Sequence, residues 1–179
     1  MFSTDNTVLI VIDVQGKLAQ LMHDRDKLFS SLQTIIKGMK ILDVPIVLLE
    51  QIPKNLGGTI REVADLLPET PPIAKHTFSC CNNDAFMERF NSLGRNQVLL
   101  TGIETHICVY QTGVDLLKAD YEVQVVADGV SSRTAENREI GIDRLKQAGA
   151  RVTSTEMILF ELMGAAEGDA FKEIVKIIK

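Results

Sequence analysis

TVLIVID, residues 7–13, decides the fold. Val8 to Ile12 form an unbroken apolar run with no polar face, so the segment is a strand only if both of its sides are covered. Such coverage is what helices give a parallel sheet. Asp13 closes the run and therefore sits at the carboxyl end of the expected strand.

Outward from this segment, short apolar runs alternate with amphipathic ones. Leu28, Leu32, Ile35, Met39 and Leu42 recur at three- and four-residue steps, which predicts a helix with one apolar stripe, ended by Pro45. PIVLLE (45–50) is a second buried strand, QIPKNLGGT a loop, and residues 60–67 a short helix closed by Pro68, Pro71 and Pro72. A brief strand at 73–75 leads into the polar stretch HTFSCCNND, where Asp84 is read as a helix N-cap. Then follow the strand QVLLTG (97–102), the helix HICVYQTGVDLLKA and the strand YEVQVVAD (121–128). A helix capped by Thr134 and ended by Gly149, the strand RVTS, and two terminal helices complete the alternation. The expected fold is a Rossmann-like, three-layer α/β/α sandwich, doubly wound around a six-stranded, mainly parallel sheet, in a single domain over 1–179.

The composition sets bounds on function. Hydrophobic residues make up 45% and charged ones 24%, the balance of a globular chain with its own core. The net charge is −5 and the basic residues are scattered, so nucleic acid is not an expected partner. VLIVI is too short to span a bilayer and no basic leader precedes it, which leads to the expectation of a cytoplasmic protein without a membrane anchor. Cys80, Cys81 and Cys108 are an odd number and do not suggest a disulfide framework. His23, His76 and His106 lie far apart and no metal-binding spacing occurs, so no metal or other cofactor is expected.

In doubly wound sheets, ligands bind at the carboxyl ends of the strands. Those ends carry Asp13, Glu50, Lys75, the loop Gly102–Thr105 leading to Cys108, and Asp128. No glycine-rich nucleotide-binding motif follows any strand. Asp13, Lys75 and Cys108 together supply a carboxylate, an ammonium and a thiol. A cation and a helix N-terminus favour thiolate, and Thr105 as N-cap would put Cys108 in the first turn of its helix. Taken singly, each has a simpler reading: a buried thiol, a capping carboxylate, a solvated lysine.

LIVIDVQ, AKHTFS, GIETHICV, VVADGVSSRTAENREIGIDRLKQAGA and STEMILFELMG together resemble the isochorismatase-like cysteine hydrolases, a family that includes nicotinamidases and carbamoylsarcosine amidases. The resemblance spans nearly the whole chain. It implies an Asp–Lys–Cys triad at Asp13, Lys75 and Cys108, with Cys108 attacking an amide-like carbonyl to form a thioester. It also implies a cis Ile103–Glu104 bond and an oxyanion hole made by the backbone N–H groups of Glu104 and Cys108. The EQIPKNLGG loop lacks the histidines of metal-dependent nicotinamidases, and the thiol itself is missing from isochorismatases that cleave a vinyl ether. The expected substrate is therefore a small molecule with an amide or related C–N bond.

Around the triad, Gln15, His76 and Phe78 are candidate substrate-binding residues. Glu50 and Asp128 are candidate pocket walls or caps. Phe171, Ile174, Val175 and Ile178 form a helical stripe that packs on its own domain or, if exposed, serves a homo-oligomer. Two rival functions use the same residues: a thiol redox protein with Cys80 or Cys81 as resolver, and an inactive oligomeric scaffold.

Overall fold

The structure, a computed structural model, describes residues 1–178. Six strands, β1 (Thr7–Ile12), β2 (Ile46–Gln51), β3 (Ile73–Lys75), β4 (Gln97–Ile103), β5 (Glu122–Ser131) and β6 (Arg151–Thr153), form one sheet in the order β3-β2-β1-β4-β5-β6. Every pairing is parallel, with Leu9 opposite Ile46 on one side of β1 and Leu99 on the other. The chain winds out from β1 through β2 and β3, then returns to lay β4 on the opposite side of β1. The strand order thus reverses between β1 and β4, the kind of switch point at whose strand carboxyl ends such folds bind ligands.

β1 is buried on both sides because its residues feed two separate cores. Leu9 and Val11 face Leu32, Ile35 and Met39 of α2 (Arg25–Ile41), together with Ile158 of α8 (Thr155–Met163) and Ile174 of α9 (Gly168–Ile178). Val8, Ile10 and Ile12 face Phe86 and Phe90 of α5 (Asp84–Ser92), Leu116 of α6 (Tyr110–Lys118) and Leu145 of α7 (Ala135–Ala148). Each such aliphatic side chain withdrawn from water contributes about 1.5–3 kcal/mol, so this strand anchors both layers. Of the terminal stripe, Ile174 is fully buried against α2 and α8 and Ile178 packs on the same core, while Phe171 and Val175 are half-buried.

The expected elements are present, and several of their details change. Two short helices, α1 (Gly16–Gln20) and α3 (Pro53–Leu56), occupy stretches too brief to show a helical period, and α4 is the single turn Arg61–Ala64. Asn83, not Asp84, caps α5 by accepting the Phe86 N–H. β5 runs on to Ser131 because the register shifts between Leu100 and Gly102 of β4, letting β5 bow out around Asp128 and rejoin at Val130. Thr134 and Ser154 cap α7 and α8 through their side chains, and Gly149 ends α7 in the left-handed conformation. Among the described residues, no helix is long and apolar enough to cross a membrane.

Candidate active site

Gly102 near the end of β4 has φ +105°, and a Cβ there would lie 2.1 Å from the Ile12 carbonyl oxygen. Only glycine lets β4 run this close to the end of β1. After it, the Ile103–Glu104 peptide is cis, and Thr105–Val109 form a π-helical turn ahead of α6. Cys108 thus sits in this turn and not in the first turn of α6. Thr105 does not cap it: its buried hydroxyl has no partner, and Glu104 occupies the N-cap position with no capping bond from its side chain. Gly141 of α7 lies flat against the same turn, where a Cβ would come within 2.8 Å of the Thr105 carbonyl carbon and the His106 nitrogen.

Asp13 follows β1 with φ +54°. Its Oδ2 accepts a hydrogen bond from Lys75 Nζ at 2.7 Å, while its buried Oδ1 has no protein partner. Lys75, at the end of β3, is fully buried and also donates to Gln51 Oε1 at 2.6 Å and to the carbonyls of Thr77 and Phe78 at 3.2 and 3.3 Å. The Cys108 thiol, 7% exposed, lies close enough to Asp13 and Lys75 for both to act on its ionisation through charge and hydrogen bonding. Three strands and the π turn therefore bring the carboxylate, the ammonium and the thiol together.

The electrostatic balance differs from a simple cation-activated thiol. Burial pushes the Cys108 thiol up to about 12, with the Asp13 carboxylate adding to the rise and Lys75 opposing it. Burial also raises Asp13 above the usual carboxylate range, against the pull of Lys75. Desolvation works against a charge on either group, and Lys75 is the cation that opposes it at both. The Glu104 carbonyl accepts the Ile107 and Val109 N–H groups and skips that of Cys108. The Glu104 carboxylate is held by the backbone N–H and Nε of Arg133 at 3.0 and 3.2 Å.

Around this centre the other candidates have varied surroundings. Gln15 is fully buried and spends its side chain on backbone: Nε2 donates to the carbonyls of Gln51 and Gly57, and Oε1 accepts the Gln51 N–H. It is better placed to hold the loop after β2 than to meet a substrate. His76 is exposed, as is Phe78 at 55%. Glu50 Oε1 accepts the N–H and hydroxyl of Thr59, and Asp128 caps α8 through the Thr155 N–H, so both act as loop and helix clamps. His106 Nδ1 meets Ser132 Oγ at 2.9 Å and is only partly exposed.

Cys80 is fully buried with its thiol pushed well up, and Cys81 is raised to about 11, in both cases mainly by burial. Among the described residues, no cluster of His, Cys, Asp or Glu could hold a metal ion. A cleft of about 190 Å³ lined by His23, Lys27, Asp128 and Arg138 shares no residue with the triad. Gln51, which touches Lys75, escaped the sequence reading. The signal was period two along β2: Leu49 faces the same core as Cys108, so Gln51 must point to that side as well.

The chain is similar in sequence and fold to known proteins. The isochorismatase domain model matches residues 7–157. The secreted isochorismatase effector Isc1 of Phytophthora sojae is 38% identical over 97% of this chain and 85% of its own length. The structure named MAR1 ribonuclease from Caenorhabditis elegans is 34% identical, with a TM-score of 0.92 over 99% of this chain and 91% of that one. The Escherichia coli YcaC gene product, described as an octameric hydrolase of unknown specificity, has the same fold at 20% identity, with a TM-score of 0.92 over 98% of this chain and 89% of that one.

Proposed function

The chain belongs to the isochorismatase domain family, and on that premise we propose that it is a cysteine hydrolase acting on a small amide or related C–N substrate. The observation that carries this reading is the buried contact of Lys75 with Asp13, at 2.7 Å, beside the Cys108 thiol. Cys108 Sγ attacks the carbonyl carbon while its proton passes to Asp13, whose Oδ1 is the oxygen without a protein partner. Because the thiol is raised to about 12, attack and proton transfer belong to one step rather than starting from a stored thiolate.

The oxyanion draws the N–H groups of Glu104 and Cys108. One such donor is worth about 3–4 kcal/mol of transition-state stabilisation. Collapse breaks the C–N bond, and Asp13 returns its proton to the leaving amine. Water then adds to the thioester with Asp13 again taking a proton, releasing the acid and restoring the thiol. This acyl transfer needs no cofactor. Lys75 draws the Asp13 carboxyl back toward its ionised form against the effect of burial.

The high thiol values of Cys80 and Cys81 weigh against a resolving role in redox chemistry, which needs a reactive thiolate. A net charge of −5 likewise argues for a small substrate over a polyphosphate chain. Turnover of an amide panel tests the reading, with ammonia or amine release measured for wild type and Cys108→Ala. Release by wild type alone, with an acyl adduct on Cys108 in mass spectra, is expected. Equal release by both would refute the nucleophile.

A further inference from the structure

We propose that Gln51 is a positioning residue which, held by Gln15, fixes the Lys75 ammonium toward Asp13 and ties that orientation to the loop after β2. The inference rests on the reading of Asp13 as the proton carrier.

An ammonium has three protons and no acceptor capacity. The Lys75 nitrogen, enclosed without solvent, divides its protons among Asp13 Oδ2, Gln51 Oε1 and the carbonyls of Thr77 and Phe78. The shortest of these bonds, 2.6 Å, goes to Gln51. Of the two side-chain acceptors, Asp13 is the group being served and Gln51 is the one that sets direction.

Gln51 has no freedom to turn. Its amide nitrogen donates to the His76 carbonyl at 2.9 Å, so an inverted amide would aim N–H groups at the ammonium and oxygen at a carbonyl. Its backbone is gripped on both sides by one residue: Gln15 Oε1 accepts the Gln51 N–H at 2.6 Å, and Gln15 Nε2 donates to the Gln51 carbonyl at 3.2 Å and to the Gly57 carbonyl at 2.6 Å. The next residue, Ile52, has φ +38° and donates its N–H to the Lys75 carbonyl at 2.9 Å. A β-branched residue in the left-handed region is held there only by its surroundings. Gln15, Gln51 and Lys75 thus form one unbroken series of bonds from the end of β1 through the β2 loop to the triad.

The test follows the Asp13 carboxyl by ¹³C NMR through a pH titration of the whole protein, with the signal assigned by its loss in Asp13→Asn. A carboxylate in place of the amide would lie within about 5 Å of Asp13 Oδ2, because both would bond one nitrogen. Gln51→Glu is therefore expected to raise the Asp13 midpoint by about one pH unit or more, and Gln51→Met, which loosens Lys75, by less. Gln15→Met, which leaves every triad contact intact, is expected to raise it too, and to add nothing in the Gln51→Met background. A purely structural role would alter stability and leave the Asp13 midpoint alone. Unchanged midpoints in the folded variants, or additive shifts of Gln15→Met and Gln51→Met, overturn the proposal. If the midpoints move as expected while Asp13→Asn still hydrolyses amides at the wild-type rate, positioning by Gln51 stands and the catalytic reading of Asp13 falls.

Discussion

A thiol set between a carboxylate and an ammonium is pulled in both directions, and here burial and the carboxylate win. Removing one neighbour at a time should therefore move Cys108 in opposite senses. Asp13→Asn takes away the charge that raises the thiol, so iodoacetamide should alkylate Cys108 faster at about pH 8, although hydrolysis falls by about 10²–10⁴ for want of a base. Lys75→Met takes away the cation that lowers it, so alkylation should slow. That variant also leaves Asp13 buried without its partner and should lose about 3–5 kcal/mol in urea unfolding. Slower alkylation in Asp13→Asn would contradict this balance. Asp13 and Lys75 were legible because strand carboxyl ends can be read from apolar runs, and Cys108 stood out through the GIETHICV resemblance. Their ionisation was not legible, since the depth of burial around Cys108 comes from α7 and the sheet packing against the turn. Lys75, on its own a solvated lysine by sequence, proves fully enclosed, its ammonium bonded to Asp13, Gln51 and the carbonyls of Thr77 and Phe78.

At the scale of elements, two glycines decide whether the turn carrying Cys108 can sit where it does. Gly102 meets the Ile12 backbone and Gly141 meets Thr105 and His106, in both cases with no space for a methyl group. Gly141→Ala should push α7 off the 105–109 turn and cost about 1–3 kcal/mol, the usual range for overpacking, together with a larger loss of turnover than of substrate binding. Urea unfolding and the split between kcat and KM check this, and an unchanged kcat would show that α7 does not fix the turn. Strands and long helices were legible, because short apolar runs such as VLIVI and helical stripes impose their own period. The π turn was not: THICV carries no pattern that separates an i→i+5 bond from an ordinary helix start, and the Val109 N–H reaching the Glu104 carbonyl is set by the chain path around it. α1 and α3 escaped for want of length, while Pro53 at the start of α3 read as loop punctuation.

For the molecule as a whole, α8 leaves Met157 and Phe160 exposed at 60% and 41%, three residues apart and so on one side of the helix. A homo-oligomer built on this face is the proposal to test, and Met157→Glu with Phe160→Glu should shift the mass seen by light scattering to that of a single chain. The three thiols yield a second whole-molecule prediction. Cys80, Cys81 and Cys108 are all raised above their ordinary value of 9.0 in the folded chain, chiefly by burial. The unfolded chain gives up these protons first as pH rises, so over that window it binds fewer protons than the native state. The sign follows from linkage: stability is fully present below the unfolded thiol value and is lost as pH climbs toward the folded ones, about 11 for Cys81 and about 12 for Cys108. For the fully buried Cys80 the loss is at most about 1.4 kcal/mol per pH unit. Urea midpoints should therefore fall steadily above about pH 9, and Cys80→Ala should flatten that decline while lowering stability at neutral pH through its small cavity. A decline of equal slope in Cys80→Ala would mean that some group other than the buried thiol governs the alkaline limb.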